Sequence, residues 1–238
     1  MGIPRIGVRQ YYEGEHLWNA RLGAHLCRQR EDELVAKGSH GPVVDYQLRA
    51  FAVMAIQESV AFTEARVNTV WQNAADRKEG KEAGDPWLEG LTVESIVLLR
   101  ELWKYGSVKR LPLLEKFDAA LRTARKPKID KSRNSLYKDV EPLTWLRNAL
   151  VHFTPETQWS DEPHKLRDAL AHRLPENPLM AGTQPWFPHQ PLCAGVAEWA
   201  WQKCLAFVQE WDALMGLTDR YLDRMEEIKP WPEAKGGR

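Results

Sequence analysis

A chain of 238 residues, 43% of them hydrophobic, is long enough to bury one sizeable core or two small ones. Lys+Arg and Asp+Glu each number 33, so the formal net charge is zero. That balance excludes a protein that coats nucleic acid through bulk charge, and any such contact must be local. Three scattered cysteines, Cys27, Cys193 and Cys204, with no C-x-x-C pair exclude a disulfide scaffold and a structural zinc site.

The pattern is helical almost throughout. Residues 15–37 form a first helix, stopped by the Gly38-Ser39-His40-Gly41-Pro42 run. Asp45 caps the next, which extends to about Arg77 with Val53, Ile56, Val60, Val67 and Trp71 as its apolar seam. At this length it is the spine of a bundle. A polar break at 78–86 follows. Thr92 opens a third helix with Glu94 in its first turn, and Ile96, Leu99, Leu102 and Trp103 form its core face. Gly106 ends it. A fourth helix occupies about 112–125, with Leu114, Phe117 and Leu121 on one side. Then comes a basic connector, 122–138, holding seven Lys or Arg against one acid, Asp130.

A helix over about 143–153 is stopped by Pro155, and 161–174 reads as a short amphipathic helix. The stretch 175–191 contains five prolines and reads as an irregular crossing loop. A last strong helix covers about 192–215, with Val196, Ala200, Cys204, Phe207, Trp211 and Leu214 on one face. Thr218 caps a short terminal helix to Ile228, and 229–238 is a flexible tail. No alternating strand pattern appears, so the expected architecture is a single all-α bundle over 1–228. No stretch approaches the ~20 apolar residues of a membrane span. With no apolar signal core at the N-terminus, the expectation is a cytoplasmic protein without membrane contact.

The most informative segment is Arg147-Asn148-Ala149-Leu150-Val151-His152, near the end of a helix. Arginine carries a permanent fork of donors suited to phosphate oxygens, and histidine moves protons near neutral pH. The two are five residues apart, which at ~100° per residue aims them about 140° apart on a straight helix. They converge only if the helix end bends or if two copies pool their residues across a symmetric interface. Asn148 and His152, four apart, do share a face.

Arg-Asn-x-x-x-His, within LTWLRNALVHFTPE, resembles the signature of the HEPN superfamily. The segment S-V-A-F-T-E-A-R-V-N, with Glu64 and Asn68 four residues apart, is similar to an early helix of several of its groups. The resemblance covers about 46–217. It leaves an extra N-terminal helix and the proline-rich loop outside. Such domains are α-helical bundles, and many are metal-independent endoribonucleases whose Arg-x4–6-His motifs meet at a dimer interface.

The resemblance implies a catalytic set of Arg147, His152 and Asn148, supported by Glu64 and Asn68. His152 would exchange a proton with a ribose 2′-hydroxyl or a leaving 5′-oxygen, while Arg147 would hold the phosphate. No metal or other cofactor is implied. The implied partners are an RNA substrate, a second copy of the chain, and a neutralising protein if the chain is a toxin or anti-phage effector. Lys126, Lys128, Lys131 and Arg133 of the connector are candidate RNA-docking residues, against their reading as a solvated loop. The alternative within the same family is a non-catalytic domain that binds a nucleotide or a partner protein. From the residues alone, Glu64 falls between Val60 and Val67 on the seam, where a carboxylate wants a partner. Arg147 or His152 is the natural candidate.

Overall fold

A computed structural model describes residues 9–38, 44–78, 84–155, 157, 164–180 and 185–221. The fold is all-α. Seven helices are present among these residues: α1 (Glu13–Ala36), α2 (Tyr46–Asp76), α3 (Val93–Lys104), α4 (Leu113–Thr123), α5 (Ser135–Val151), α6 (Lys165–Leu170) and α7 (Ala194–Met215), with one 3-10 turn at Val108–Arg110. None is long and apolar enough to cross a membrane.

Helix α2 is the spine. Its 31 residues span roughly 46 Å at 1.5 Å per residue, and α1, α3, α4, α5 and α7 all pack on it. The Asp45 carboxylate accepts from the Leu48 amide at 2.7 Å and fixes its start. Residues 55, 56, 59, 60, 62, 63, 66, 67, 70 and 71 are all buried, so the covered arc is broader than the expected seam. The most extensive pairing is α1 with α2. A Cβ at Gly23 would lie 2.9 Å from the Ala55 backbone nitrogen, so only glycine permits that approach. The N-terminal helix is thus an integral layer, packed on both α2 and α7.

The core between α2, α4 and α7 is aromatic. Phe117 meets Phe207 and Trp211 edge-on at 5.0 and 4.9 Å, and the Trp211 indole N–H donates to the Phe117 carbonyl at 3.3 Å. All three cysteines are buried and unbridged. Gly216 ends α7 in the left-handed region, φ 76°, where the Leu217 amide reaches the Asp212 carbonyl at 2.8 Å.

Four expectations need correction. Helix α5 begins at Ser135 and not near Leu143, because Asn134 caps it through the Tyr137 amide at 2.7 Å. Pro142 therefore lies inside the helix, where it removes one backbone bond. The last residues of the basic connector belong to this helix. Leu102 is 40% exposed, since it sits at the edge of the α3 stripe and not on its centre. Helix α6 covers only Lys165–Leu170 of the expected 161–174, of which 161–163 lie outside the described residues. The segment 217–221 is not helical, and the rest of the expected terminal helix and the tail also lie outside.

The described part of the proline-rich loop packs beside the end of α5. Buried Asn177 pins it, donating to the His189 carbonyl at 3.2 Å and accepting from the Leu179 amide at 3.0 Å. Buried Phe187 stacks on His164 at 4.6 Å and lies 6.4 Å from Phe153, one residue past the motif histidine.

Candidate active site

Three helices bring charged groups together along one edge of α2. Glu64 and Asn68, one turn apart, face Lys116 of α4, whose Nζ lies 3.2 Å from Glu64 Oε1 and 3.3 Å from Asn68 Oδ1. Arg147 of α5 approaches the other Glu64 oxygen, Nη2 to Oε2 3.7 Å. The carboxylate is therefore shared by two cations. Its side chain is 40% exposed, which corrects its placement on the buried seam: it sits at the rim where α4 and α5 meet α2. Arg147 is the partner that the spacing suggested, and His152 is not.

Lys116 was missed. It is only 5% exposed, on a stripe with Leu113 and Ala120, spacing i, i+3, i+7. A lysine on an otherwise apolar stripe was the available signal, since a buried ammonium needs a carboxylate.

Arg147 is half-buried. Its Nε has no hydrogen-bond partner, and 3.7 Å to Glu64 is longer than a hydrogen bond. Most of its donor capacity is therefore uncommitted. His152 is the C-cap of α5, with φ −104° and ψ 36°, and its amide still bonds the Asn148 carbonyl at 2.9 Å. The helix has released it, as its distance from Pro155 suggested. The His152 ring and the Asn148 side chain are exposed and make no hydrogen bond to a described residue. No contact joins Arg147 to His152 within the chain. Around them Trp145, Val151 and Phe153 are 46, 47 and 51% exposed, an apolar fringe on a charged site.

The basic connector is partly neutralised. Lys131 pairs with Asp118 at 2.6 Å and lies over the Tyr137 ring, while Arg133 is 3.6 Å from Asp130. Lys128 and Lys131 line a 330 Å3 hollow with Glu115, Asp118 and Arg122, whereas Lys126 is half-buried. Asp118 and Lys116 are two residues apart on α4, about 160° around its axis. The hollow therefore opens on a different side of α4 from Glu64 and Arg147.

Trp199 and Trp211 are core residues, and Trp201 is half-buried beneath the Arg21 guanidinium at 5.4 Å. Among the described residues no group of three or more His, Cys, Asp or Glu is placed to hold a metal ion. Comparison of the chain with protein-family models, with curated proteins and with solved structures gave no match.

Proposed function

We propose that this protein is a metal-independent endoribonuclease of the HEPN type, acting as a homodimer whose site is completed across the two-fold axis. The observation that carries this reading is an arginine whose Nε lacks a hydrogen bond, five residues before an exposed histidine whose ring makes no hydrogen bond to a described residue. Both lie in a fringe of exposed Trp145, Val151 and Phe153. A second chain docking on that fringe would cover the apolar rings and bring a second Arg–His set to the first.

One His152 ring takes the proton of a ribose 2′-hydroxyl, and that oxygen attacks the adjacent phosphorus. The bond from phosphorus to the 5′-oxygen breaks, and the leaving oxygen receives a proton from the partner's histidine. Arg147 neutralises the charge that builds on the non-bridging oxygens. Glu64, itself braced by Lys116, keeps the guanidinium from swinging into solvent, and Asn148 offers a further donor. The products are a 2′,3′-cyclic phosphate and a 5′-hydroxyl. In a cell such an activity suits a toxin or anti-phage effector, held in check by a neutralising protein.

The test compares the parent with His152→Ala for cleavage of a mixed RNA pool and for growth arrest on expression. Loss of both in the variant, with cleavage by the parent unaffected by a chelator, is the expected result. Equal behaviour of the two proteins overturns the reading. One observation favours a second reading, a non-catalytic domain that binds a nucleotide or a protein: no described side chain orients the His152 ring. A dimeric parent protein that leaves RNA intact would select it.

A further inference from the structure

A cleft of about 1130 Å3 plays no part in the site above. It lies between the first turns of α1, Glu58 of α2, Trp87 before α3, and 219–221 after α7. Glu58 and Glu64 are six residues apart on α2, about 120° around its axis, so cleft and motif open on different faces. The volume is of the order that small-molecule sites occupy, ~300–1,000 Å3.

Its walls are aromatic and its charge is negative. The faces of Trp87 are engaged: Tyr11 stacks on it at 4.4 Å, and the Arg220 guanidinium lies 4.0 Å from its ring centre. Arg220 also donates to the Pro86 carbonyl. The cleft thus already holds one planar cation against an indole. Two further rings remain open, Tyr12 at 57% and Trp18 at 37% exposure. With Arg220 engaged, four carboxylates line the space, those of Glu13, Glu15, Glu58 and Asp219.

One of these acids, Glu58, has unused capacity, and another, Glu13, is almost fully buried. His16 Nδ1 and Asn19 Nδ2 both approach Glu58 Oε2, at 2.7 and 3.4 Å, and leave Oε1 without a donor among the described residues. Glu13 is 3% exposed, with the Tyr221 and Thr69 hydroxyls beside it. Its nearest cation, Arg66 Nη1, is 3.8 Å away and itself lacks a hydrogen bond. Burial raises the Glu13 pKa against the pull of Arg66 and of the Tyr221 and Thr69 hydroxyls.

We propose that this cleft binds a small organic cation with a flat apolar body, an arylalkylammonium. Its ammonium is received by the Glu58 carboxylate, and its body lies on the Tyr12 and Trp18 rings. Anions are disfavoured by the excess of carboxylates lining the cleft, and a bare polyamine leaves the two open rings unused. Cation–π attraction and ion pairing act on the same molecule there.

The probe is phenethylammonium, titrated into the full-length protein by calorimetry, with phenylacetate as the match of opposite charge. Saturable binding of phenethylammonium and none of phenylacetate is expected. Trp18→Ala and Glu58→Gln should each weaken the cation at least about ten-fold. Circular dichroism checks folding, and Tyr12→Ala, at an exposed ring, replaces any variant that unfolds. His152→Ala should bind as the parent does, so a failed ribonuclease reading leaves this result untouched. Equal binding of the two probes, no saturation by the cation, or parent-like affinity in the folded cleft variants overturns the proposal.

Discussion

Two arginine–carboxylate pairs use the same helix and differ in how much of the arginine they consume. On the α7 side of α2, Arg66 grips Asp212 with Nε at 3.0 and 3.2 Å and Nη2 at 2.9 Å, and both side chains are at most 1% exposed. On the α4–α5 side, Arg147 meets Glu64 at a single 3.7 Å contact, with 24 and 40% of the side chains exposed. The first guanidinium is bound into the core, where leaving either charge alone would be costly. The second is restrained but not satisfied, and water reaches it. An arginine in that state can still offer its fork to a phosphate, whereas one like Arg66 cannot. Burial, more than residue type, separates a structural arginine from a candidate functional one.

The contrast breaks most sharply at Arg66. Arg66→Met strands Asp212 and should cost about 3–5 kcal/mol in urea unfolding; a loss within experimental error would mean that the buried pair is replaceable. Arg147→Ala should do the reverse, lowering RNA cleavage about 10²–10³-fold while stability changes by less than about 1 kcal/mol. A large drop in Tm with cleavage intact would place Arg147 with Arg66. Trp145→Glu puts a charge on the apolar fringe. It should weaken the dimer at least about ten-fold by sedimentation, with cleavage falling in step; a monomeric variant that cleaves normally would remove the composite site.

A third carboxylate at α2, the Asp45 cap, sharpens the comparison through pH. Arg30, and next the Leu48 amide, hold the folded Asp45 carboxyl below its ordinary value of 3.8. A carboxyl lowered on folding adds stability above its unfolded pKa and loses it as pH falls through the folded one. Asp45→Ala should therefore cost about 1 kcal/mol at neutral pH, and the gap to the parent should close below pH 3.8. A gap that persists in acid would show that the contribution is not the charged cap. The smallest effect is expected at Lys131, whose exposed pairing with Asp118 is worth at most about 1 kcal/mol. If the connector docks RNA, Lys131→Ala should lower the salt slope of RNA binding by about 1; an unchanged slope marks a solvated loop.

The features legible in the sequence are those decided within four or five residues. The Asp45 and Thr92 caps were legible because each accepts from an amide three positions on, Leu48 at 2.7 Å and Ser95 at 3.2 Å. The release of His152 was legible from Pro155, three residues later. The place of Pro142, just before the expected start at about Leu143, was not legible. Only the Asn134 cap and the packing of Tyr137 and Val140 into the core place it inside α5. Glu64 was singled out correctly as an acid in want of a partner, but its depth was misread, since spacing along one helix does not reveal where a neighbouring helix ends.

By itself, then, the sequence determined an all-helical chain, most of its helix ends, and a motif whose two side chains point apart. Backbone hydrogen bonds and the 3.6-residue period are local, and they are written in adjacent residues. The tertiary structure decided which helices share α2. It buried Lys116 against Glu64 and Asn68, committed Arg66 to Asp212 and left Arg147 partly free. Those outcomes depend on packing between segments far apart in the chain, where the identity of a partner and its burial set whether a charge is spent or available.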